Sequence, residues 1–228
     1  MANYLIIGNG VAGTTAAENI RKLDKTGKIT MVTEESSPFY YRMRLPDFIS
    51  GDLAEDKLSA KKDQWYKDQG LDLKLNTRIQ SADPGKKVVT TQSQQELPYD
   101  RLLLATGSRS FIPPMKGADK KGVFALRTLK DAKEIIAWAK SIQKVVLIGG
   151  GLLGLEAGNA LRKLGKTLTV VEFFPRLLPR QLDVAGGGRL QKIMEGMGVS
   201  FRLGAKTQEI QGEDRVSGVL LEGGEVLP

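Results

Sequence analysis

Two glycine-rich turns constrain the fold of this chain more than any other feature of its sequence. Both have the form G-x-G-x-x-G, and their glycines are Gly8, Gly10 and Gly13 in the first turn and Gly149, Gly151 and Gly154 in the second. Each turn follows a short apolar run and precedes a helical pattern and a second apolar run, and the two copies lie 141 positions apart. Because parallel strands read as continuous apolar runs, each copy is typical of a βαβ unit. The sequence therefore predicts an α/β protein with two nucleotide sites, or with one site in each of two domains.

The residue types in each turn fit the phosphates of a dinucleotide. The first glycine permits the tight turn from strand to helix, the second lets a pyrophosphate approach the backbone, and the third lets the helix pack on the strand. The free N–H groups at the helix N-terminus then bind the phosphates. At the end of the second apolar run, Glu34 and Glu172 are placed to accept hydrogen bonds from an adenosine ribose; they follow Gly13 by 21 residues and Gly154 by 18 residues. Glu35 is the alternative to Glu34, because a strand end can be misread by one residue.

The composition excludes most other kinds of active site. The 228 residues include no Cys and no His, which rules out a disulfide framework, a Cys or His metal site, a His-based triad and a Cys nucleophile. With 26 glycines and few reactive side chains, the chain is expected to use a borrowed cofactor. The longest apolar stretch, residues 145–155, is too short to span a membrane, and the apolar run that begins at Asn3 leaves no room for a signal peptide. We therefore expect a cytoplasmic protein.

A third segment carries a resemblance to a known family. In LPYDRLLLATGSR (97–109) an apolar strand ends in Ala-Thr-Gly. Together with the two glycine turns, this arrangement resembles the FAD-dependent pyridine nucleotide–disulfide oxidoreductase superfamily. The segments SSPFYYRMRLPDFISG (36–51) and GADKKGVFALRTLKDA (117–132) are similar to its rubredoxin, ferredoxin and nitrite reductase branch. The resemblance implies two Rossmann-like, three-layer domains: an incomplete FAD-binding domain at 1–110, and an NADH-binding domain at 111–228 whose last strand, with the parts beyond it, is missing.

The resemblance places FAD at the first turn and NADH at the second. The residues that it assigns to FAD are Gly8, Gly10, Gly13, Glu34 or Glu35, Arg42, Thr106, Gly107 and Arg109, and those that it assigns to NADH are Gly149, Gly151, Gly154 and Glu172. Among these, Arg42 would neutralise pyrophosphate charge. Because the Glu172 carboxylate repels the 2′-phosphate that only NADPH carries, we expect NADH to be preferred over NADPH. Arg176, four residues further on, would weaken that preference.

Glu156 is the predicted catalytic residue. Family members place a Glu at this point beside the nicotinamide and the flavin, where it pairs with a Lys of the flavin-side loop. Here Asp47 stands at the position of that Lys, with Arg44 three residues before it. Glu156 is therefore expected either to pair with Arg44 or, as a residue of the first helical turn, to complement the helix dipole. The aromatic residues 39–41 of the same loop are expected to stack near the cofactor or to pack in the core.

The missing cysteines define the predicted reaction. Disulfide reductases of the superfamily carry a Cys pair beside the flavin, and its peroxidases and water-forming oxidases carry one Cys, so a thiol relay is excluded here. The resemblance implies an FAD-dependent NAD(P)H:acceptor oxidoreductase, in which hydride passes from NADH to FAD and electrons then pass to rubredoxin, ferredoxin, a nitrite reductase centre or oxygen. The implied partner is a small iron protein or a metal-centre domain. A homodimer is one option for the full-length form.

Two other functions stay open at this point. One is a non-catalytic FAD- and NAD-binding module that supplies electrons to a larger assembly or regulates it. The other is a flavoprotein of the apoptosis-inducing kind that binds nucleic acid through its positive charge. The net charge is +8, but paired lysines such as Lys61-Lys62 and Lys86-Lys87 are scattered along the chain. No single basic stripe is visible, which argues against a nucleic-acid partner.

Overall fold

The structure is a computed structural model that describes residues 1–228, and the chain divides into two compact units. The first unit contains Met1–Tyr41 and Glu55–Arg109. The second contains Arg42–Ala54 and Ser110–Pro228. The chain therefore passes from one unit to the other three times, because a 13-residue segment near the N-terminus packs with the C-terminal half.

Strands outnumber helices in both units. In chain order the strands are β1 (Asn3–Ile7), β2 (Lys28–Val32), β3 (Leu71–Lys74), β4 (Ile79–Asp83), β5 (Val88–Thr91), β6 (Glu96–Pro98), β7 (Arg101–Leu104), β8 (Lys144–Ile148), β9 (Thr167–Glu172), β10 (Ser200–Leu203), β11 (Thr207–Gln211), β12 (Gly218–Leu221) and β13 (Val226–Leu227). The helices are α1 (Val11–Leu23), α2 (Leu45–Ser50), α3 (Glu55–Leu58), α4 (Asp63–Asp68), α5 (Leu129–Ala139), α6 (Leu152–Lys163) and α7 (Val184–Gly196).

The first unit is built on a four-stranded parallel sheet with the order β3-β2-β1-β7. Neighbouring residues of β1 point to opposite faces of this sheet. Ile6 packs with Ala17 of α1 and Tyr66 of α4 on one face. Leu5 packs on the other face with Val89 and other side chains of the antiparallel sheet β4-β5-β6. The unit therefore has three layers, with the parallel sheet buried in the middle.

The second unit repeats this plan on a parallel sheet with the order β10-β9-β8. Val170 of β9 packs on the side of α6 and α7, with Met194 in the same cluster. Val171 packs on the opposite side, against the antiparallel sheet β11-β12-β13. The α2 segment packs against α5 and α6, and the Asp52 carboxylate lies 2.6 Å from the Lys163 ammonium at the end of α6. Alternate burial of neighbouring residues thus defines three layers here as well.

The two predicted βαβ patterns are strand-turn-helix-strand units in the structure. The predicted strand at 167–172 is β9, and the predicted helices are α1 and α6. One boundary prediction was wrong: the strand expected to end in Glu34 and Glu35 ends at Val32. No helix has both the length and the apolar character that crossing a bilayer requires.

Three consecutive glycines at the start of α7 give a testable prediction about stability. Glycine in a helix interior is about 1 kcal/mol less favourable than alanine. A Cβ added to Gly188 meets no atom within 4 Å, so Gly188→Ala is expected to raise the free energy of unfolding by ~0.5–1 kcal/mol. Gly187→Ala is the matched control, because its Cβ would lie 3.1 Å from the Leu177 carbonyl oxygen. Urea unfolding of both variants measures the difference, and a Gly188→Ala variant no more stable than the wild type would contradict it.

Candidate functional site

The first glycine turn is closed by contacts that only glycine permits. The Gly8 N–H donates to the Val32 carbonyl oxygen at 2.8 Å, which joins the turn to β2. Gly8 has φ +119°, and a Cβ there would lie 2.0 Å from the Ala105 carbonyl oxygen. A Cβ on Gly13, in α1, would lie 2.0 Å from the Gly8 carbonyl oxygen. The first and third glycines of the motif therefore hold the strand, the helix and the residues after β7 together.

The second turn has the same backbone geometry. The Gly149 N–H donates to the Val171 carbonyl oxygen at 2.7 Å, and Gly149 has φ +106°. A Cβ on Gly154 would lie 3.1 Å from the Gly149 carbonyl oxygen, which is tight but less severe than at Gly13. The predicted repeat is therefore also a structural repeat, which includes the bond from the first glycine of each motif to the second strand.

The second glycines of the two motifs, Gly10 and Gly151, are not required by packing within the chain. Each is the N-cap of the following helix, and neither helix has a side-chain cap or an acidic residue in its first turn. A Cβ on either glycine meets no atom within 4 Å. By contrast, α5 and α7 are capped by Thr128 and Asp183, whose side chains accept hydrogen bonds from backbone N–H groups. The N–H groups at the start of α1 and α6 are thus open to an outside anion, and these residues fit the phosphates of FAD and NADH.

Glu172 is buried at the end of β9 and holds the second turn. One carboxylate oxygen accepts from the Gly150 N–H at 2.5 Å, and the other accepts from the Phe174 N–H at 2.8 Å. Each carboxylate oxygen keeps a lone pair for a further donor, such as a ribose hydroxyl. The Arg176 guanidinium donates to the carbonyl oxygens of Pro179 and Leu182, at 3.0 and 3.3 Å. Arg176 is therefore engaged by its own loop.

Glu34 does not occupy the position equivalent to Glu172. Since Gly8 bonds to Val32 and Gly149 bonds to Val171, the residue equivalent to Glu172 is Thr33. The Thr33 hydroxyl accepts from the N–H two residues later, at 3.3 Å, as the Glu172 carboxylate does. Glu34 lies one residue further on, is exposed, and has its carboxylate 3.8 Å from Arg78. The two spacings differ by three residues because, in the first unit, the helix and the connection after it are each one residue longer and the acidic residue lies one residue further on.

Glu35 and the aromatic residues after it form a second group near β2. The Tyr40 hydroxyl donates to the Glu35 carboxylate at 2.5 Å, and Tyr40 is buried. Phe39 and Tyr41 make an edge-to-face contact with their ring centroids 5.8 Å apart. Of the two expectations for these aromatics, Tyr40 packs in the core, while Tyr41 is 45% exposed and free to contact a ligand.

The remaining residues assigned to FAD lie in different places. Ala105, Thr106 and Gly107 are the first three residues after β7, and the Ala105 N–H donates to the Ile7 carbonyl oxygen at 2.8 Å. This bond brings the Ala-Thr-Gly segment against the first turn. Arg109 is exposed further along the same segment. Arg42 belongs to the second unit, where its guanidinium donates to the Arg127 carbonyl oxygen at 3.1 Å.

Glu156 differs from both expectations for it. It is the fifth residue of α6, beyond the first turn, so the interpretation as a first-turn acid was wrong. Arg44 forms its ion pair with Asp47 at 3.4 Å and not with Glu156. Glu156 is exposed on the helix that begins at Gly151. Its carboxylate is therefore available to a ligand bound along that helix.

Two buried polar residues beside the first turn are absent from the predicted site. Asn9 lies between Gly8 and Gly10, and the Tyr66 hydroxyl donates to its side-chain oxygen at 2.9 Å. Nothing in the sequence joins these residues, which lie 57 positions apart, because their contact depends on where α4 packs.

Comparison with known proteins decides the family. A family model described as pyridine nucleotide-disulphide oxidoreductase matches residues 2–228. The chain belongs to this family. It is 40% identical to the nitrite reductase [NAD(P)H] of Bacillus subtilis over 221 residues, covering 96% of this chain and 28% of that protein. It is 34% identical to the rubredoxin-NAD(+) reductase of Pseudomonas putida over 225 residues, covering 98% of this chain and 58% of that protein.

A solved structure gives the same result for the fold. The crystal structure of a ferredoxin reductase from Rhodopseudomonas palustris matches with a TM-score of 0.92 at 29% identity, over 100% of this chain and 57% of that one. The predicted superfamily and the Rossmann-like α/β fold are confirmed. The chain spans between about a quarter and three fifths of the length of these relatives.

Proposed function

We propose that this chain is the coenzyme-binding part of an FAD-dependent NADH:acceptor oxidoreductase, with FAD at the first glycine turn and NADH at the second. The observation that carries the proposal is the pair of uncapped helix N-termini at Gly10 and Gly151, each with open space where a side chain would stand. When bound, NADH supplies hydride and FAD accepts it and releases electrons to an acceptor. The residues of the chain bind and orient these groups.

In the first unit, the backbone N–H groups at the start of α1 bind the FAD diphosphate, since neither a side chain nor an acidic residue competes for them. The Ala-Thr-Gly segment lies against this turn, which supports the proposal that Thr106 and Gly107 contact the same coenzyme. Glu34 or Glu35 accepts a hydrogen bond from the adenosine ribose, as predicted from the sequence. Glu34 is the more accessible of the two carboxylates, since its side chain is 66% exposed.

In the second unit, the N–H groups at the start of α6 bind the NADH diphosphate. Glu172 accepts from the ribose hydroxyls while its bonds to Gly150 and Phe174 hold the turn in shape. Its negative charge disfavours the 2′-phosphate of NADPH, and Arg176 is engaged by the carbonyl oxygens of its own loop. Glu156 is the acidic residue that we assign to the nicotinamide end; its exposure on α6, as the fifth residue of that helix, supports the assignment.

The proposed acceptor is a small iron-containing electron carrier. The chain has no Cys, so electrons leave without a redox-active disulfide. Two of the relatives are a reductase of rubredoxin and a reductase of ferredoxin by name. The net charge of +8 would steer an acidic carrier protein toward the chain. A homodimer of the full-length form and a cytoplasmic location stay predictions.

A visible spectrum tests the proposal. The purified chain is mixed with FAD, desalted and examined before and after NADH is added without oxygen. We expect FAD to be retained and the flavin absorption to be bleached by NADH, with reoxidation by added rubredoxin or ferredoxin. Retention of FAD without bleaching would favour the non-catalytic electron-input module. Failure to bind FAD or NADH at all would overturn the proposal, and reoxidation by oxygen alone would replace the iron-protein acceptor with oxygen.

A further inference from the structure

A buried hydrogen-bond chain joins the first glycine turn to the aromatic segment at Phe39. The Tyr66 hydroxyl donates to the Asn9 side-chain oxygen at 2.9 Å and accepts from the Phe39 N–H at 3.1 Å. Asn9 and Tyr66 are 8% and 3% exposed. A single hydroxyl therefore fixes two segments that the sequence places 30 residues apart.

The Tyr66 ring is held in place by the core of the first unit. It packs with Ile6, Ala17 and Met31 of the parallel sheet and α1, and it makes an edge-to-face contact with Trp65 at a centroid distance of 4.9 Å. Burial raises the pKa of the Tyr66 hydroxyl above its ordinary value, so the group stays protonated and keeps its donor at neutral pH. The buried hydroxyl thus holds both the Asn9 side chain and the Phe39 backbone in position.

The second unit holds its turn by other means. Gly150, which lies between the first two glycines of the second motif, donates its N–H to the Glu172 carboxylate. In the first unit Thr33 stands at the position of Glu172, and its side chain is too short to replace that carboxylate. Asn9 stands at the position of Gly150. The Tyr66 hydroxyl holds the first turn through the Asn9 side chain instead. The two turns share their backbone shape but differ in what fixes it.

The Asn9 side chain has a single hydrogen-bond partner, the Tyr66 hydroxyl. Its nitrogen, Nδ2, is buried and has no hydrogen-bond partner. Exchanging the amide oxygen and nitrogen would leave the oxygen unpaired instead, since Tyr66 is the one partner of the group. The orientation of the Asn9 side chain therefore depends on the Tyr66 hydroxyl alone.

We propose that Tyr66 is a positioning residue for the coenzyme of the first unit, which holds Asn9 and Phe39 in the FAD-binding arrangement before FAD arrives. This proposal rests on the proposed function, because it takes FAD to be the ligand of the first turn. The hydroxyl does not need to touch the coenzyme. It acts by preorganising the turn, so its loss is expected to weaken binding and not only the stability of the fold.

The test compares Tyr66→Phe with Tyr4→Phe. Tyr4 lies at the opposite end of β1 from the turn, packs against the same core cluster, and loses a hydroxyl bond to Asp24 of 3.2 Å. FAD dissociation constants are measured by titration of flavin fluorescence, and stability without FAD is measured by urea unfolding. Tyr66→Phe is expected to raise the FAD dissociation constant roughly 3- to 30-fold. Tyr4→Phe is expected to lower stability and leave that constant within about twofold.

A double-mutant cycle shows whether Tyr66 acts through Asn9. In the Asn9→Ala background, Tyr66→Phe is expected to add little further loss of FAD affinity, because the bond it removes is already gone. Equal effects of Tyr66→Phe and Tyr4→Phe on FAD affinity would show a purely structural role for Tyr66. Full additivity in the cycle would show that Tyr66 does not act through Asn9. If Tyr66→Phe does not fold, unchanged FAD affinity in folded Asn9→Ala alone overturns the proposal. A wild-type chain that binds no FAD would instead refute the proposed function.

Discussion

Gly10→Val is expected to abolish FAD binding while leaving the fold of the chain intact. Gly10 has an extended backbone at φ −92° and ψ −165°, a conformation that valine adopts without strain, and a Cβ there meets no atom within 4 Å. The added side chain would occupy the space through which a pyrophosphate reaches the N–H groups of α1. We expect the FAD dissociation constant to rise at least about 100-fold, equivalent to ~3 kcal/mol. Flavin fluorescence titration measures the affinity, and circular dichroism with urea unfolding measures the fold.

The equivalent substitution in the second unit provides the matched control. Gly151→Val occupies the same place at the start of α6, where a Cβ is also free of contacts. It is expected to remove NADH binding and leave FAD binding near the wild-type value, whereas Gly10→Val does the reverse. Loss of both coenzymes from either single variant would mean that the two turns are not separate sites. Unchanged FAD affinity in Gly10→Val would place FAD elsewhere.

Gly13→Ala separates the binding role of the motif from its structural role. The alanine Cβ would lie 2.0 Å from the Gly8 carbonyl oxygen, a distance that no packing adjustment of side chains can relieve. This variant is therefore expected to disrupt the first unit itself, whatever ligand is present. The motif thus combines two glycines required by the fold with one required by the ligand.

The sequence was sufficient to predict the parts of the site that depend on local backbone geometry. Apolar runs, turn glycines and helix patterns follow directly from residue type, so the two βαβ units and their turns could be placed from sequence alone. Glu172 could be placed because β9 is apolar up to that residue. β2 stops at Val32 before a polar stretch, and here the same reasoning placed Glu34 one residue beyond the position equivalent to Glu172.

The parts that could not be predicted depend on packing between distant segments. Tyr66 reaches Asn9 only because α4 packs beside β1, and one residue of a short helix carries no periodic signal. Glu156 was expected in the first helical turn, but α6 begins at Leu152, directly after the second glycine of the motif, so Glu156 is its fifth residue. The Arg42–Ala54 segment looks continuous with the N-terminal half in sequence, yet its α2 packs on α5 and α6. Hydrophobic patterning predicts which residues of such a segment are buried, but not which of two cores buries them.

Glu172→Ala is expected to weaken NADH binding strongly and to relax the discrimination against NADPH. The substitution removes the acceptor of the Gly150 and Phe174 N–H groups, which lie 2.5 and 2.8 Å from the carboxylate oxygens. The second turn therefore loses the two hydrogen bonds that hold its shape. It also removes the proposed acceptor of the ribose hydroxyls. Since hydrogen bonds to a charged group contribute about 1.5–3 kcal/mol, the NADH dissociation constant should rise roughly 10- to 100-fold. NADPH affinity should change less, because the loss of these two hydrogen bonds is offset by the loss of the repulsion between the carboxylate and the 2′-phosphate.

Two further variants separate charge from shape in this result. Glu172→Gln keeps the length of the side chain and one carbonyl oxygen acceptor but no negative charge, so it should lower the NADH-to-NADPH affinity ratio with a smaller loss of NADH affinity than Glu172→Ala. Glu213→Ala, an exposed glutamate of the same unit, removes the same charge away from the turn and should change neither affinity. Titration of both nucleotides at two salt concentrations measures the ratio, because only a local charge effect persists when longer-range electrostatics are screened. An unchanged NADH-to-NADPH ratio in Glu172→Gln would mean that the carboxylate shapes the turn without selecting the coenzyme.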